Sequence, residues 1–263
     1  MDNKITLKDI KLVKPVIKFH ITDMCNYKGL SIIMPAWQSQ DYIDDCLESI
    51  QNQDYFKEND NWEILIGVDR CKKLKSHLSK TEVSLKNTKI FWFYNHSGPY
   101  VIRNTLAYKS KYDKILFFDS DDIMEPFLVD MLIEKSTNAD IIRYREVRYD
   151  IKKDKEEGQI KICYGQFFIW KEKFKELGGF FPWPCEADHE FLKRAGWNNF
   201  NIKEVRDKIY IWRPIHGNNI TSRKETGMRS ELRLQLREQI KQNRKNKIKH
   251  IEPIFSRYKM LRK

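Results

Sequence analysis

The stretch Lys-Ile-Leu-Phe-Phe-Asp-Ser-Asp-Asp, residues 114–122, joins an apolar run directly to three acidic residues. A short run that is apolar throughout is typical of a parallel strand buried on both faces of a sheet. In open α/β sheets, ligands bind in the crevice beyond the carboxyl ends of such strands. We therefore expect Asp119, Asp121 and Asp122 to lie at a ligand-binding edge.

Upstream of this stretch, apolar runs of the same kind alternate with segments of helical spacing. The runs are residues 30–34, 62–68 and 89–94. Helical spacing occurs over residues 42–50, with Asp41 as a candidate cap, and over residues 100–108. Strands that alternate with helices pair in parallel through right-handed crossovers. The fold class predicted is an open α/β sheet flanked by helices.

The pattern changes after Asp122, where strands and turns of antiparallel character begin. The predicted elements are a helix over 127–135, a strand over 139–149, a turn over 152–158 leading into a strand over 159–164, a helix over 186–195 and a short strand over 208–212. We expect a smaller antiparallel addition that covers one end of the first sheet. Residues 1–29 show no clear period and are predicted to be an N-terminal extension that packs on the body.

The basic charge of the chain is concentrated near its end. The formal net charge is +12 over 263 residues, and residues 223–263 hold 14 Lys and Arg against 4 Asp and Glu. The remaining body is nearly neutral and shows no basic stripe, which argues against nucleic-acid binding.

Within this basic tail, Leu232, Leu236 and Ile240 recur every four residues beside Arg and Lys side chains. The pattern predicts an amphipathic basic helix that ends near Pro253. Two roles remain open for it: lying on an anionic membrane with its apolar stripe inserted, or packing on the body or on a second subunit.

Composition excludes several classes of protein. Apolar residues make up 41% and aromatic residues 13%, enough to build a core, and no run approaches the length of a membrane span. The five cysteines are scattered without a C-x-x-C pair, and the first residues lack the apolar region of a signal peptide. We expect a soluble cytoplasmic protein without a disulfide framework.

The acidic cluster itself points to a divalent cation. Adjacent carboxylates repel one another, and no Lys or Arg adjoins Asp119, Asp121 or Asp122 in the sequence. Mn²⁺ or Mg²⁺ takes oxygen ligands and commonly bridges protein carboxylates to substrate phosphates. The alternative is an acidic turn that caps a helix beginning near Pro126.

Several segments resemble, in the expected order, family 2 glycosyltransferases, which have the GT-A fold. They are residues 31–37, 63–69, 103–104, 118–122, 165–180, 188–194 and 216–221. The resemblance covers residues 30–222, with a nucleotide-sugar-binding half over 30–122 and an acceptor-side half over 123–222. The sequence departs from the family pattern at Val68-Asp69-Arg70-Cys71, where only one of the family's two acidic residues remains, and at Ala36-Trp37-Gln38. The identity of the donor is therefore left open.

The resemblance implies transfer of a hexose or pentose from a nucleotide diphosphate donor, with a UDP-sugar expected. The acceptor would be a hydroxyl of a glycan, a lipid-linked glycan or a protein. The donor-binding residues that it implies are Pro35, Ala36, Asp69, Arg103 and Asp119. The metal ligands that it implies are Asp121 and His216, with Asp122 as an additional candidate.

An attacking hydroxyl must lose a proton, and a carboxylate within hydrogen-bond reach is its simplest acceptor. Asp188 is the candidate base, which makes the reaction inverting; the alternative is that it only caps its helix. Glu186 is the reserve base, and Glu190 is given a structural or acceptor-binding role. Trp183 and Trp170 are candidates for stacking on a sugar ring or for packing in the core.

Two other functions remain as alternatives. The basic tail alone would suit a nucleic-acid or anionic-surface binding protein, but it leaves the acidic cluster unexplained. A nucleotidyltransferase also places acids after a strand, although no Gly-rich phosphate loop follows Pro35. A homo-oligomer is left open by the sequence.

Overall fold

One mixed sheet organises the computed structural model, which describes residues 27–150, 155–216 and 223–262. Its ten strands within these ranges are β1 (Tyr27–Ala36), β2 (Trp62–Asp69), β3 (Thr88–Phe93), β4 (Tyr112–Phe117), β5 (Ile123–Met124), β6 (Ile141–Asp150), β7 (Lys155–Ile162), β8 (Phe168–Trp170), β9 (Ile202–Pro214) and β10 (Tyr258–Arg262). The helices are α1 (Ile43–Gln51), α2 (Asp54–Glu58), α3 (Lys72–Leu78), α4 (Gly98–Lys109), α5 (Leu128–Lys135), α6 (Lys171–Glu176), α7 (Ala187–Trp197) and α8 (Glu231–Lys245).

The centre of the sheet is the parallel set β3-β2-β1-β4, which confirms the four predicted apolar strands. β1 pairs with β2 on one side and with β4 on the other. All eight residues of β2 are buried, as expected of a strand covered by helices on both faces. This arrangement brings the carboxyl ends of β1, β2 and β4 to one edge.

Helix α4 packs directly on the central strands because β2 carries a glycine at the contact. A Cβ atom added at Gly67 would lie 2.3 Å from Cγ2 of Ile102, so a larger residue there would push α4 away. Asn104 of the same helix fixes the opposite side, because its amide exchanges two hydrogen bonds of 2.8 Å with the backbone of Phe180. Helix α4 is thereby held between the sheet and the segment that contains Phe180.

The second half of the chain extends this sheet, which differs from the expected covering addition. β8 pairs antiparallel with β4 and β6, and the predicted hairpin is formed by β6 and β7, with residues 151–154 of its turn outside the described residues. β9, however, runs parallel to β6 and is 13 residues long, where a short strand over 208–212 is predicted. Its first half is mostly polar and partly exposed, so it lacked the apolar signal of a strand.

The ends of the described chain also join the body. Residues 27–29 of the predicted N-terminal extension belong to β1, and residues 1–26 lie outside the described residues. The predicted cap at Asp41 is wrong, since Tyr42 stands at the start of α1 and no side chain caps it. Among the described helices, none has the length and apolar character needed to cross a membrane.

The predicted basic helix of the tail is α8, which ends at Lys245 and not near Pro253, and it packs on the protein. The hydroxyl oxygen of Ser230 accepts a hydrogen bond from the backbone N–H of Arg233 at 3.3 Å and so caps the helix. Leu232, Leu236 and Ile240 are buried in an apolar cluster with side chains of α7. The packing role is therefore the one that the structure shows, because a stripe covered by protein is not available to a bilayer.

We predict that Leu236→Ala lowers the free energy of unfolding by about 2–5 kcal/mol, the usual cost of a cavity at a buried leucine. Leu234→Ala on the same helix is the matched control, since Leu234 is 57% exposed and should change stability by about 0.5 kcal/mol or less. Denaturant unfolding followed by circular dichroism measures both. Equal effects of the two substitutions would contradict the packing of α8.

Candidate active site

Three acidic side chains meet at the carboxyl end of β4, as the sequence predicts. Asp119, Asp121 and Asp122 each offer a carboxylate oxygen, and these oxygens lie within 4.8 Å of one another. They follow Phe118, whose backbone N–H donates to the carbonyl of Ile33 in β1 at 3.1 Å. The turn is therefore anchored to the centre of the sheet.

Two arginines neutralise part of this cluster, which corrects the expectation that a cation alone does so. Arg103 of α4 pairs with the Asp119 carboxylate. Arg213 of β9 lies 3.4 Å from a carboxylate oxygen of Asp119, 3.3 Å from one of Asp122 and 2.9 Å from one of Glu146. Arg213 and Glu146 were missed because long-range pairing of β9 with β6 brings them to the site.

The three aspartates differ in their electrostatic surroundings. Burial raises the pKa of Asp119, and it raises that of Asp122 well above the ordinary value. Burial acts on Asp121 in the same direction, but the hydrogen bond with His216 and the charge of Arg213 outweigh it and lower that pKa. Asp121 is therefore the member that most readily stays ionised.

His216 lies next to Asp121, as the predicted pair of metal ligands requires. Its Nε2 atom is 2.9 Å from a carboxylate oxygen of Asp121, and its ring stacks on Tyr42 with centroids 4.4 Å apart. The rest of its predicted motif, residues 217–221, lies outside the described residues. Asp122 is instead buried between Arg213 and the amide of Gln166, so it anchors the turn rather than facing a ligand.

The candidate base, Asp188, lies in the first turn of α7 close to the acid cluster. The phenol of Tyr100 donates a hydrogen bond of 2.8 Å to its carboxylate, and so does the backbone N–H of His189 at 2.9 Å. A Cβ atom at Gly165 would lie 3.2 Å from Asp188 Oδ2 and 3.9 Å from Asp119 Oδ2. Both carboxylates thus come close to one residue that has no side chain.

Glu186 does not suit the reserve role of base. Its side chain is held by Arg233, by Arg237 at 3.2 Å and by Nδ1 of His189 at 2.9 Å. Burial alone would raise its pKa, but these hydrogen bonds lower it to about 2. A carboxylate that binds protons so weakly is a poor general base at neutral pH. Glu186, rather than Asp188, occupies the N-cap of α7, with a left-handed φ of 64°.

Burial and contacts favour the structural alternative for three further residues. Glu190 is fully buried in an ion pair with Arg194 at 2.9 Å, which supports the structural role over acceptor binding. Trp183 is only 9% exposed and stacks on Phe181, which favours packing in the core. Trp170 donates its indole N–H to the carbonyl of Ala139 at 3.1 Å, which also favours packing.

The predicted donor-binding residues lie at the same edge of the sheet. Pro35 and Ala36 end β1, and Asp69 ends the neighbouring β2. The Asp69 carboxylate accepts hydrogen bonds from the backbone N–H groups of Ser97 at 2.8 Å and Gly98 at 3.0 Å. In this structure it therefore anchors the start of α4.

A cavity of about 940 Å³ connects the candidate reacting groups. Its lining includes Asp119, Arg103 and Arg213, together with Asp188 and Glu186 at the start of α7. Further residues of β6, β7, β9 and α8 complete the lining. The cavity is therefore large enough for a sugar and parts of two substrates to meet beside Asp188.

Known proteins share this architecture. WcaA of Escherichia coli K12, named as a colanic acid biosynthesis glycosyl transferase, is 30% identical over 105 residues, which are 39% of this chain and 36% of WcaA. S. aureus TarS, solved in complex with UDP-GlcNAc, has a TM-score of 0.62 at 18% identity over 73% of this chain and 60% of that chain. The mannosyltransferase PcManGT from Pyrobaculum calidifontis, solved with GDP-Man and Mn²⁺, has a TM-score of 0.61 at 12% identity over 76% of this chain and 62% of that chain.

The structural likeness shows a GT-A fold, which confirms the fold class expected from the sequence. The chain spans little more than a third of the length of WcaA. The model described as Glycosyl transferase family 2 matches residues 31–192. Because this match covers more than half of the chain and includes the acid cluster and Asp188, the chain belongs to glycosyl transferase family 2.

Proposed function

We propose that the chain is a metal-dependent, inverting glycosyltransferase. It moves a sugar from a nucleotide diphosphate donor, a UDP-sugar, to a hydroxyl of a glycan, a lipid-linked glycan or a protein. The observation that carries the proposal is that Asp188 and Asp119 both lie close to Gly165 and line one cavity. The complexes of TarS with UDP-GlcNAc and of PcManGT with GDP-Man support a nucleotide-sugar donor.

The site's charges fit a divalent cation. The carboxyl groups of Asp119, Asp121, Asp122 and Glu146 lie beside two arginines, and Asp121 is the member of the acid cluster whose pKa is lowered, so it offers an ionised carboxylate to a cation. Asp121 and His216 would hold Mn²⁺ or Mg²⁺, and the Mn²⁺ in PcManGT supports this assignment. The bound cation would stabilise the negative charge that develops on the departing diphosphate.

The chain's own residues supply the remaining chemistry. Asp188 takes the proton of the attacking hydroxyl, and Tyr100 holds the carboxylate in position through its hydrogen bond. Burial raises the pKa of Tyr100 well above its ordinary value, so the phenol stays a donor at neutral pH. Attack on the face of the anomeric carbon opposite the diphosphate inverts its configuration.

The alternative of a binding protein that acts through its tail loses its main support. Helix α8 packs its apolar stripe on α7, and Arg233 on the same helix pairs with Glu186 at the cavity wall. The tail is thus continuous with the proposed site, and its charges lie partly inside the cavity.

We predict that Asp121→Asn lowers nucleotide release by a factor of about 10² or more, because it removes the ionised carboxylate that would hold the cation. The assay uses purified protein, a set of nucleotide sugars and Mn²⁺, with and without excess chelator. Asp60→Asn is the matched control, since the Asp60 side chain is 85% exposed and far from the cavity lining. Full turnover in excess chelator would refute the metal dependence.

We predict that Asp188→Asn lowers the transfer rate by a factor of about 10² or more, the usual weight of a positioned base. Donor binding, measured by calorimetry with UDP, should hardly change, because the base acts on the acceptor. Lost UDP binding with transfer intact would instead make Asp188 a donor ligand.

A further inference from the structure

The lining of the cavity carries more basic than acidic groups. Eight Lys and Arg side chains line it, namely Arg103, Arg143, Arg148, Lys161, Arg206, Arg213, Arg233 and Arg237. Six carboxyl groups line it, namely Asp119, Glu146, Glu157, Glu186, Asp188 and Glu204. The basic groups of the lining therefore outnumber the acidic ones by two.

Four of these basic groups share only two carboxylates. Arg143 and Arg206 both pair with Glu204, the first at 2.7 Å. Arg233 and Arg237 both pair with Glu186. Each shared carboxylate neutralises one positive charge and leaves the other uncompensated.

Arg148 and Lys161 are exposed, and within the described ranges neither has a carboxylate oxygen within 4.0 Å. Both side chains nevertheless line the cavity. Lys161 of β7 is paired directly with Glu146 of β6, whose carboxylate contacts Arg213 beside Asp119. Arg148 is paired with Glu157, beyond a register shift that follows Glu146.

An aromatic side chain lies among these charges. Tyr164 is 47% exposed in the cavity, and the guanidinium of Arg143 is 4.2 Å from the centre of its ring. An exposed ring suits the apolar face of a sugar, whereas guanidinium and ammonium groups suit its anionic substituents. The combination distinguishes this surface from a merely solvated basic strand.

We infer that the acceptor is an anionic glycan, bearing carboxylate or phosphate groups that bind between Arg148, Lys161 and the arginines of α8. This inference rests on the proposed function, since it assigns the acceptor of the same site. Guanidinium forks match both kinds of oxyanion, and an uncharged acceptor would leave the excess positive charge of the lining without a countercharge.

The test measures binding of four oligomers of equal length to the full chain at 0.15 M salt. They are an oligogalacturonate, its fully methyl-esterified neutral form, an oligomer of glycerol phosphate and a single-stranded oligodeoxythymidylate. We expect one of the two charged glycan-type oligomers to bind about tenfold or more tightly than the neutral ester. Preference for the oligogalacturonate assigns carboxylate groups, and preference for the glycerol phosphate oligomer assigns phosphate groups.

The double variant Arg148→Gln with Lys161→Gln should reduce that preference about tenfold. The control double variant Lys72→Gln with Lys245→Gln also removes two positive charges, but from exposed residues outside the cavity. It should leave the preference for the charged oligomer unchanged. The inference is overturned if the ester binds as tightly as the charged glycans, if the oligodeoxythymidylate does, or if the double variant binds like the wild type. Calorimetry with UDP on the same samples tests the proposed function separately, because it needs no acceptor.

Discussion

The ion pairs of Arg213 are the interaction on which the site depends. One guanidinium lies between the carboxylates of Asp119, Asp122 and Glu146, and these carboxylates hold its pKa above the ordinary range although burial opposes the charge. Removing it would leave the buried Asp122 and the half-buried Asp119 and Glu146 close together with less positive charge beside them, which costs more than an exposed ion pair is worth. Arg213 also ties β9 to the turn after β4, and so joins the two halves of the chain electrostatically.

The position of Arg213 also shows which parts of the structure can be predicted from the sequence. The central strands and the acid cluster are predictable because each depends on a continuous local run, such as residues 114–122. β9 and the position of Arg213 cannot be predicted from the sequence. A strand with a polar first half is stabilised by its neighbour β6 and not by its own apolar pattern. The role of Glu186 could not be predicted either, because it depends on Arg233 and Arg237, which lie 47 and 51 residues away in the sequence.

Helix α8 shows how one segment serves both stability and chemistry. Its apolar side completes the core over α7, and Arg233 and Arg237 on its other side hold Glu186 at the start of α7, two residues before Asp188. A carboxylate in a left-handed backbone position needs such restraint, because that conformation is unfavourable for residues other than glycine. Part of the basic charge of the tail is thus needed to hold the start of α7 in place.

The pairing of β10 with β3 has a consequence for the protein's solubility. β3 reads Thr-Lys-Ile-Phe-Trp-Phe, an apolar, strongly β-forming segment, and without β10 its backbone N–H and C=O groups would form an open sheet edge. Such an edge is a template for pairing with other copies of the chain. β10 replaces it with a five-residue edge strand that carries a lysine, and the strand order ends on the other side at the two-residue β5, with β7 pairing off this path with β6. By covering the edge of β3, β10 therefore lowers the tendency of the protein to aggregate.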